Sequence, residues 1–142
     1  MKRRMLHCAA IAAALLLSDG RVLADDPFPK DWKPDLSGVY DLLVKEIENA
    51  PQQRMNAVTG RIAELRDAEL AIVYLRLYSS LGEKGRKQLK AQQSKWIKAR
   101  GQAVEELGPH GSSRGSIAPM EDNQLFTDLT EKRIKELRRR SK

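Results

Sequence analysis

The sequence predicts an all-α fold: a small helical bundle built on a long antiparallel helical hairpin, with a short first helix before it and a C-terminal helix after it. Three observations carry this expectation. Apolar residues recur at helical spacing along four runs, helix-stopping residues separate those runs, and no segment alternates with the period of two that marks a strand. In the first run Leu36, Val39, Tyr40, Leu43 and Ile47 share one helical face, and Pro51 stops it. The second run, about 52–80, carries Met55, Val58, Ile62 and Leu65 and then Leu70, Tyr74, Leu77 and Leu81, with Gly60 as a weak point. Gly82 to Gly85 reads as a tight turn before a third helix at about 86–107. Residues 108–119 have loop composition, and a last helix from about Asp122 to Arg140 presents Leu125, Leu129, Arg133 and Leu137.

The chain has 142 residues, enough for one modest domain, and its first 24 stand apart. Lys2, Arg3 and Arg4 precede a run from Met5 to Leu17 that is apolar except for His7, the layout of a secretory signal peptide. Such a run spans about 20 Å as a helix, short of the roughly 30 Å hydrocarbon core, which disfavours a membrane anchor. Val22 and Ala24 supply small residues for cleavage near Ala24, so the expected product is periplasmic or secreted. Residues 25–34, with three prolines, read as an extended lead-in anchored by Phe28 or Trp32, and 35–142 as a single helical domain.

Charge narrows the choice of partner. The whole chain is +7, with 26 basic and 19 acidic residues; removing 1–24 takes away four basic residues and one acid and leaves about +4. Cys8, the only cysteine, goes with the signal segment, so the mature chain must fold without disulfides. From Lys84 to Arg100 there are seven basic residues and no acid. Lys87, Lys90, Lys95 and Lys98 lie on a wheel away from the stripe of Leu89, Gln93, Trp96 and Arg100, forming a solvated face that could also meet an anionic surface. Nucleic acid is not expected, because few aromatic side chains are available to stack bases.

Chemistry-bearing motifs are scarce. Gly111-Ser112-Ser113-Arg114-Gly115 has the spacing of a hydrolase nucleophile elbow, but a helix and not a strand precedes it, and His110 comes before the serine instead of after it. No cluster has metal-ligand spacing and no phosphate-binding loop occurs, so neither catalysis nor a cofactor is expected. If the turn at Gly82 to Gly85 folds the second and third helices back on one another, Asp67 faces Arg100, Leu70 faces Trp96, Tyr74 faces Gln93 and Leu77 faces Leu89. Each pair makes sense as an ion pair, an apolar contact or a hydroxyl–amide hydrogen bond, and the polar members read as mortar for the hairpin.

Those same residues carry a resemblance. Asp67, Leu70 and Tyr74, then Leu89, Gln93, Trp96 and Arg100, the segment Arg114 to Pro119, and the ending Leu129-Thr130 with Arg133 and Leu137 resemble the LprI-like lysozyme-inhibitor domain of secreted bacterial proteins, over about residues 55–137. Members of that family usually carry cysteines where this chain has Val58, Val104 and Leu125 or Phe126, an Asn at the position of Ala71 and an Asp at Gly101. The resemblance implies an exported, non-enzymatic, all-α protein whose partner is lysozyme or another envelope macromolecule. The loop with His110, Ser112, Ser113 and Arg114 is then the candidate for insertion into a substrate cleft, although a chain near +4 approaches a basic target unfavourably. The alternative is an envelope binding module whose Lys-rich helix and Arg138-Arg139-Arg140 tail rest peripherally on anionic lipid or cell-wall polymer.

Overall fold

In a computed structural model, residues 29, 31–109 and 114–141 are described; the expected signal segment, Phe28 and the loop residues His110, Ser112 and Ser113 lie outside the described residues. Four helices form: α1 (Ser37–Ile47), α2 (Gln52–Ser80), α3 (Glu83–Glu105) and α4 (Ala118–Arg140), with a 3₁₀ turn at Gly115–Ile117 leading into α4. The all-α expectation is met, and among the described residues no helix is long and apolar enough to cross a membrane.

Two boundaries differ from the sequence reading, each for a local reason. Helix α3 starts at Glu83 and takes in Gly85, read above as part of the turn. Gly82 alone makes the extended N-cap, while a Cβ on residue 85 would lie 3.2 Å from Leu81 Cβ, so glycine lets Leu81 fold over the first turn. Helix α4 starts at Ala118 and not near Asp122, because Pro119 begins the helix instead of ending the loop. In the first turn its missing N–H has no helical partner to lose and its φ is already helical. Between α1 and α2, Asn49 takes a left-handed conformation, φ 62°, which a short polar side chain tolerates, and reverses the chain within a few residues.

The hairpin of α2 and α3 is antiparallel, yet most of α2 packs on α4, which runs parallel to it. Asn123 Nδ2 donates to Asn56 O (3.3 Å) and Thr59 Oγ1 (3.2 Å), Arg66 pairs with Glu131 (3.0 Å), and Arg138 pairs with Glu69 (2.7 Å). Partner numbers rise together along both helices, as parallel packing requires. Such an arrangement needs a long crossover, and α3 supplies it. Small buried residues, Thr59 and Ala63 on α2 and Ala118, Thr127 and Thr130 on α4, allow the close approach. Gly60 belongs to this contact, since a Cβ there would meet Asn123 Nδ2 at 3.5 Å.

Toward the other end the core is larger in volume. Leu70 and Leu77 of α2, Leu89 of α3, and Ile134 and Leu137 of α4 form it, with Tyr74, Tyr78 and Trp96 packed around them. Helix α1 has no buried residue and lies against α2, antiparallel to it. The Arg66 guanidinium covers the Tyr40 ring at 3.9 Å and Arg54 pairs with Glu46. Trp32 is 54% exposed, and its carbonyl accepts a hydrogen bond from Arg76.

Gly101 lies inside α3, exposed, with open space where a Cβ would go. Gly101→Ala should therefore stabilise the fold by about 0.5–1 kcal/mol through helix propensity alone, raising Tm by a few degrees. A calorimetric Tm at or below that of the parent would show that the position is not free.

Candidate binding surface

The residues singled out by spacing converge on α3. Arg100, 8% exposed, donates from Nη1 to Asp67 Oδ1 (2.6 Å) and to Thr130 Oγ1 (2.9 Å), and Thr130 in turn donates to Phe126 O (2.7 Å). One guanidinium thus ties α3 to both α2 and α4. Its Cζ lies 3.8 Å from the Phe126 ring centre and 4.7 Å from that of Trp96, so π faces replace part of its lost hydration. Asp67 remains half exposed, which keeps the cost of the pair low, because only the cation is withdrawn from water.

Arg133, 5% exposed, repeats the arrangement from α4. It donates from Nε to Gln93 Oε1 (3.0 Å), pairs with half-exposed Glu136 (2.7 Å), and lies 5.8 Å from the Trp96 ring centre. The Gln93 amide was expected to meet the Tyr74 hydroxyl; it accepts from Arg133 instead. A charged donor makes the stronger hydrogen bond, and α4 brings that donor in from a distance the hairpin pattern does not register. Leu70, Leu77, Leu89 and Trp96 share one core, as the pairing implied. Asp67, Tyr74, Gln93 and Arg100 also line a groove of about 300 Å³ between α2 and α3, floored by Leu70 and Ala71 and flanked by exposed Ile97.

Arg114, a candidate loop contact, has its guanidinium turned onto its own chain. It reaches Glu121 (3.0 Å), Asp122 (2.6 Å), Gly108 O (3.0 Å) and Ala118 O (3.0 Å), and its side chain is 13% exposed. Hydrogen bonding to Asp122, aided by Glu121, holds its pKa above the ordinary arginine value against a smaller loss of hydration. The contacts join Gly108, where α3's exit turns left-handed at φ 92°, to the first turn of α4. Arg114 therefore ties together the two described ends of the segment that contains His110, Ser112 and Ser113 in the sequence.

On α3, Lys87, Lys90, Lys95 and Lys98 are all exposed. Lys87 pairs with Glu83 one turn earlier (2.7 Å), which raises the lysine pKa and lowers that of the glutamate. Arg86 does not add to this face: it donates to Tyr78 O (3.0 Å) and Ser79 O (3.1 Å), capping the end of α2. Of the seven basic residues counted in the sequence, Arg86 and Arg100 are thus spent on structure.

Two further concavities were not legible from spacing. A polar cleft of about 520 Å³ opens between the start of α1 and the end of α4, bordered by Lys33, Tyr40, Arg66, Arg76 and Arg138. A more apolar groove of about 550 Å³ lies between the end of α1 and the start of α4, formed by Ile47, Leu107, Met120 and Leu125 with Glu121 and Asp128. Both depend on how α1 is seated, which its own sequence does not specify. Among the described residues no group of His, Cys, Asp and Glu could hold a metal ion.

Trp96→Ala should remove the face that Arg100 and Arg133 share and destabilise the fold by about 3 kcal/mol. Urea unfolding followed by circular dichroism checks this; a change below about 1 kcal/mol would mean that the ring is not the packing centre of α3.

Comparison with known proteins brings these features together. A family model described as lysozyme inhibitor LprI matches residues 45–137, from the end of α1 through the last turns of α4. No curated protein and no solved structure matches the chain. The match spans the Asp67–Arg100 pair, Gln93, Trp96, Arg133 and the Arg114 clasp, and covers well over half of the sequence: the chain belongs to the LprI lysozyme-inhibitor family.

Proposed function

We propose that this chain is an exported, non-catalytic protein that binds and inhibits a lysozyme, with residues 1–24 removed as a signal peptide. The observation that carries the reading is the family match over residues 45–137. The geometry is compatible with it. Arg114 ties Gly108 to the first turn of α4, and a segment held at both ends has less freedom to lose on entering a cleft than one held at neither. In this reading His110, Ser112 and Ser113 make the contact and Arg114 positions them.

The test is the clearing rate of a cell-wall suspension by a panel of purified lysozymes. Stoichiometric inhibition of at least one is expected, and the triple replacement of His110, Ser112 and Ser113 by alanine should weaken it by about tenfold with Tm unchanged. Arg114→Ala should weaken inhibition and lower Tm together, since it releases the loop from α4. Failure to inhibit any lysozyme would refute the reading.

Export is checked separately. Mass spectrometry of the periplasmic or secreted product should give an N-terminus near Asp25, and an intact Met1 product confined to the cytoplasm would refute it. The exposure of Lys87, Lys90, Lys95 and Lys98 favours a second reading, an envelope module resting on anionic lipid or cell-wall polymer. Such contact would fade steeply with ionic strength, whereas cleft insertion would not.

A further inference from the structure

Net charge hides a segregation of charge along the bundle. The lysines of α3 run from Lys84 to Lys98 and are absent from its last two turns, and Arg138, Arg139 and Arg140 lie in the last turn of α4. The opposite end is acidic: Glu121 and Asp128 line the apolar groove, and Glu105 and Glu106 immediately precede its Leu107. At the end of α1, Glu48 follows the groove's Ile47. Glutamates in the last turn of a helix sit where the macrodipole disfavours them, so those of α1 and α3 do not serve helix stability. Among the described residues no lysine or arginine lines the groove. Two guanidiniums at this end are engaged by acids, Arg114 by Glu121 and Asp122 and Arg54 by Glu46, and Lys45 lies in the last turn of α1.

The groove also exposes apolar surface. Leu107 is 38% exposed, and Ile47, Met120 and Leu125 are only half buried. A concavity of this size accommodates one or two anchoring side chains of a partner, with the acidic rim supplying orientation. It lies at the base of the loop, between Leu107 on one side and Met120 on the other.

From this juxtaposition, an apolar groove that carries Glu121 and Asp128 and no lining cation among the described residues, we propose that the groove is the docking surface for a cationic protein that inserts an apolar side chain into it. The proposal rests on the inhibitor reading for its choice of partner, a basic lysozyme. It also removes the difficulty raised by a mature charge near +4, because steering depends on the field of the facing patch within about a Debye length, roughly 8 Å at physiological salt, and not on the net charge.

The test measures binding and inhibition separately, with the full chain and a basic lysozyme as the probe. Surface-immobilised kinetics at two salt concentrations should show Asp128→Lys slowing association by about tenfold at low salt and much less at high salt, with dissociation little changed. Leu107→Ser should speed dissociation at both salts, and Lys135→Glu, exposed toward the far end of α4, should leave binding equal or faster. Unchanged Tm in all three variants shows that they remain folded. If the parent binds and both groove variants bind as it does, the groove is overturned while the inhibitor reading stands. If the groove variants lose binding but the parent does not slow hydrolysis, the groove is upheld and the inhibitor reading falls. If the parent binds no lysozyme at all, both fall.

Discussion

The position of α3 depends on one arrangement, the two buried guanidiniums of Arg100 and Arg133 set against Trp96. Helix α3 is polar over most of its surface and offers the core Leu89 and little else that is fully buried and apolar. An apolar stripe so thin would leave its orientation about its own axis poorly fixed. Directional contacts fix it instead: Arg100 reaches Asp67 on α2 and Thr130 on α4, while Gln93 receives Arg133 from α4. Because each carboxylate partner stays half in water, the network avoids the desolvation cost of a fully buried ion pair and keeps its angular specificity.

With α3 oriented in this way, α2 and α4 run parallel and in close contact. Threonines, alanines and Gly60 line that contact, so its stability comes from dispersion at short range and from side-chain hydrogen bonds such as those of Asn123. The parallel arrangement also places the start of α4 beside the start of α2 and the exit of α3. The loop and the apolar groove therefore arise at the same end of the bundle, and the Arg114 clasp is the contact that holds α4's first turn to the exit of α3.

The sequence made the helices legible because their apolar residues report burial at a period that backbone geometry imposes. The bounds 52–80 for α2 and the Asp67–Arg100 pair follow from periodicity and from one short turn. What failed was of two kinds. Gly85 and Pro119 were read as breakers, although within the first turn of a helix neither costs a hydrogen bond. The partner of Gln93, the inward turn of Arg114 and both clefts depend on where α1 and α4 settle, which is a tertiary fact with no local spacing to report it. Arg114 had one signal, the acids Glu121 and Asp122 waiting in the turn that follows; it was outweighed by the loop-like composition of 108–119.

The missing cysteines bear on how this end of the bundle holds together. Val58, where the resemblance implies a cysteine, is fully buried; of Leu125 or Phe126, where it implies another, Phe126 has the Arg100 guanidinium 3.8 Å from its ring centre. Packing and a cation–π contact thus stand where covalent ties would be expected. Disulfides stabilise chiefly by restricting the unfolded chain and hold a site rigid whether or not a partner is present. Packing and ion pairs at a solvent-facing end act only in the folded state, and there the opening of the loop base is opposed mainly by Arg114 and its carboxylates. A partner that binds only the closed base then adds its own binding energy to the stability of that end. Under the proposed inhibitor reading, recognition and local folding at the loop base would become a single equilibrium, with Arg114 as the contact through which each influences the other.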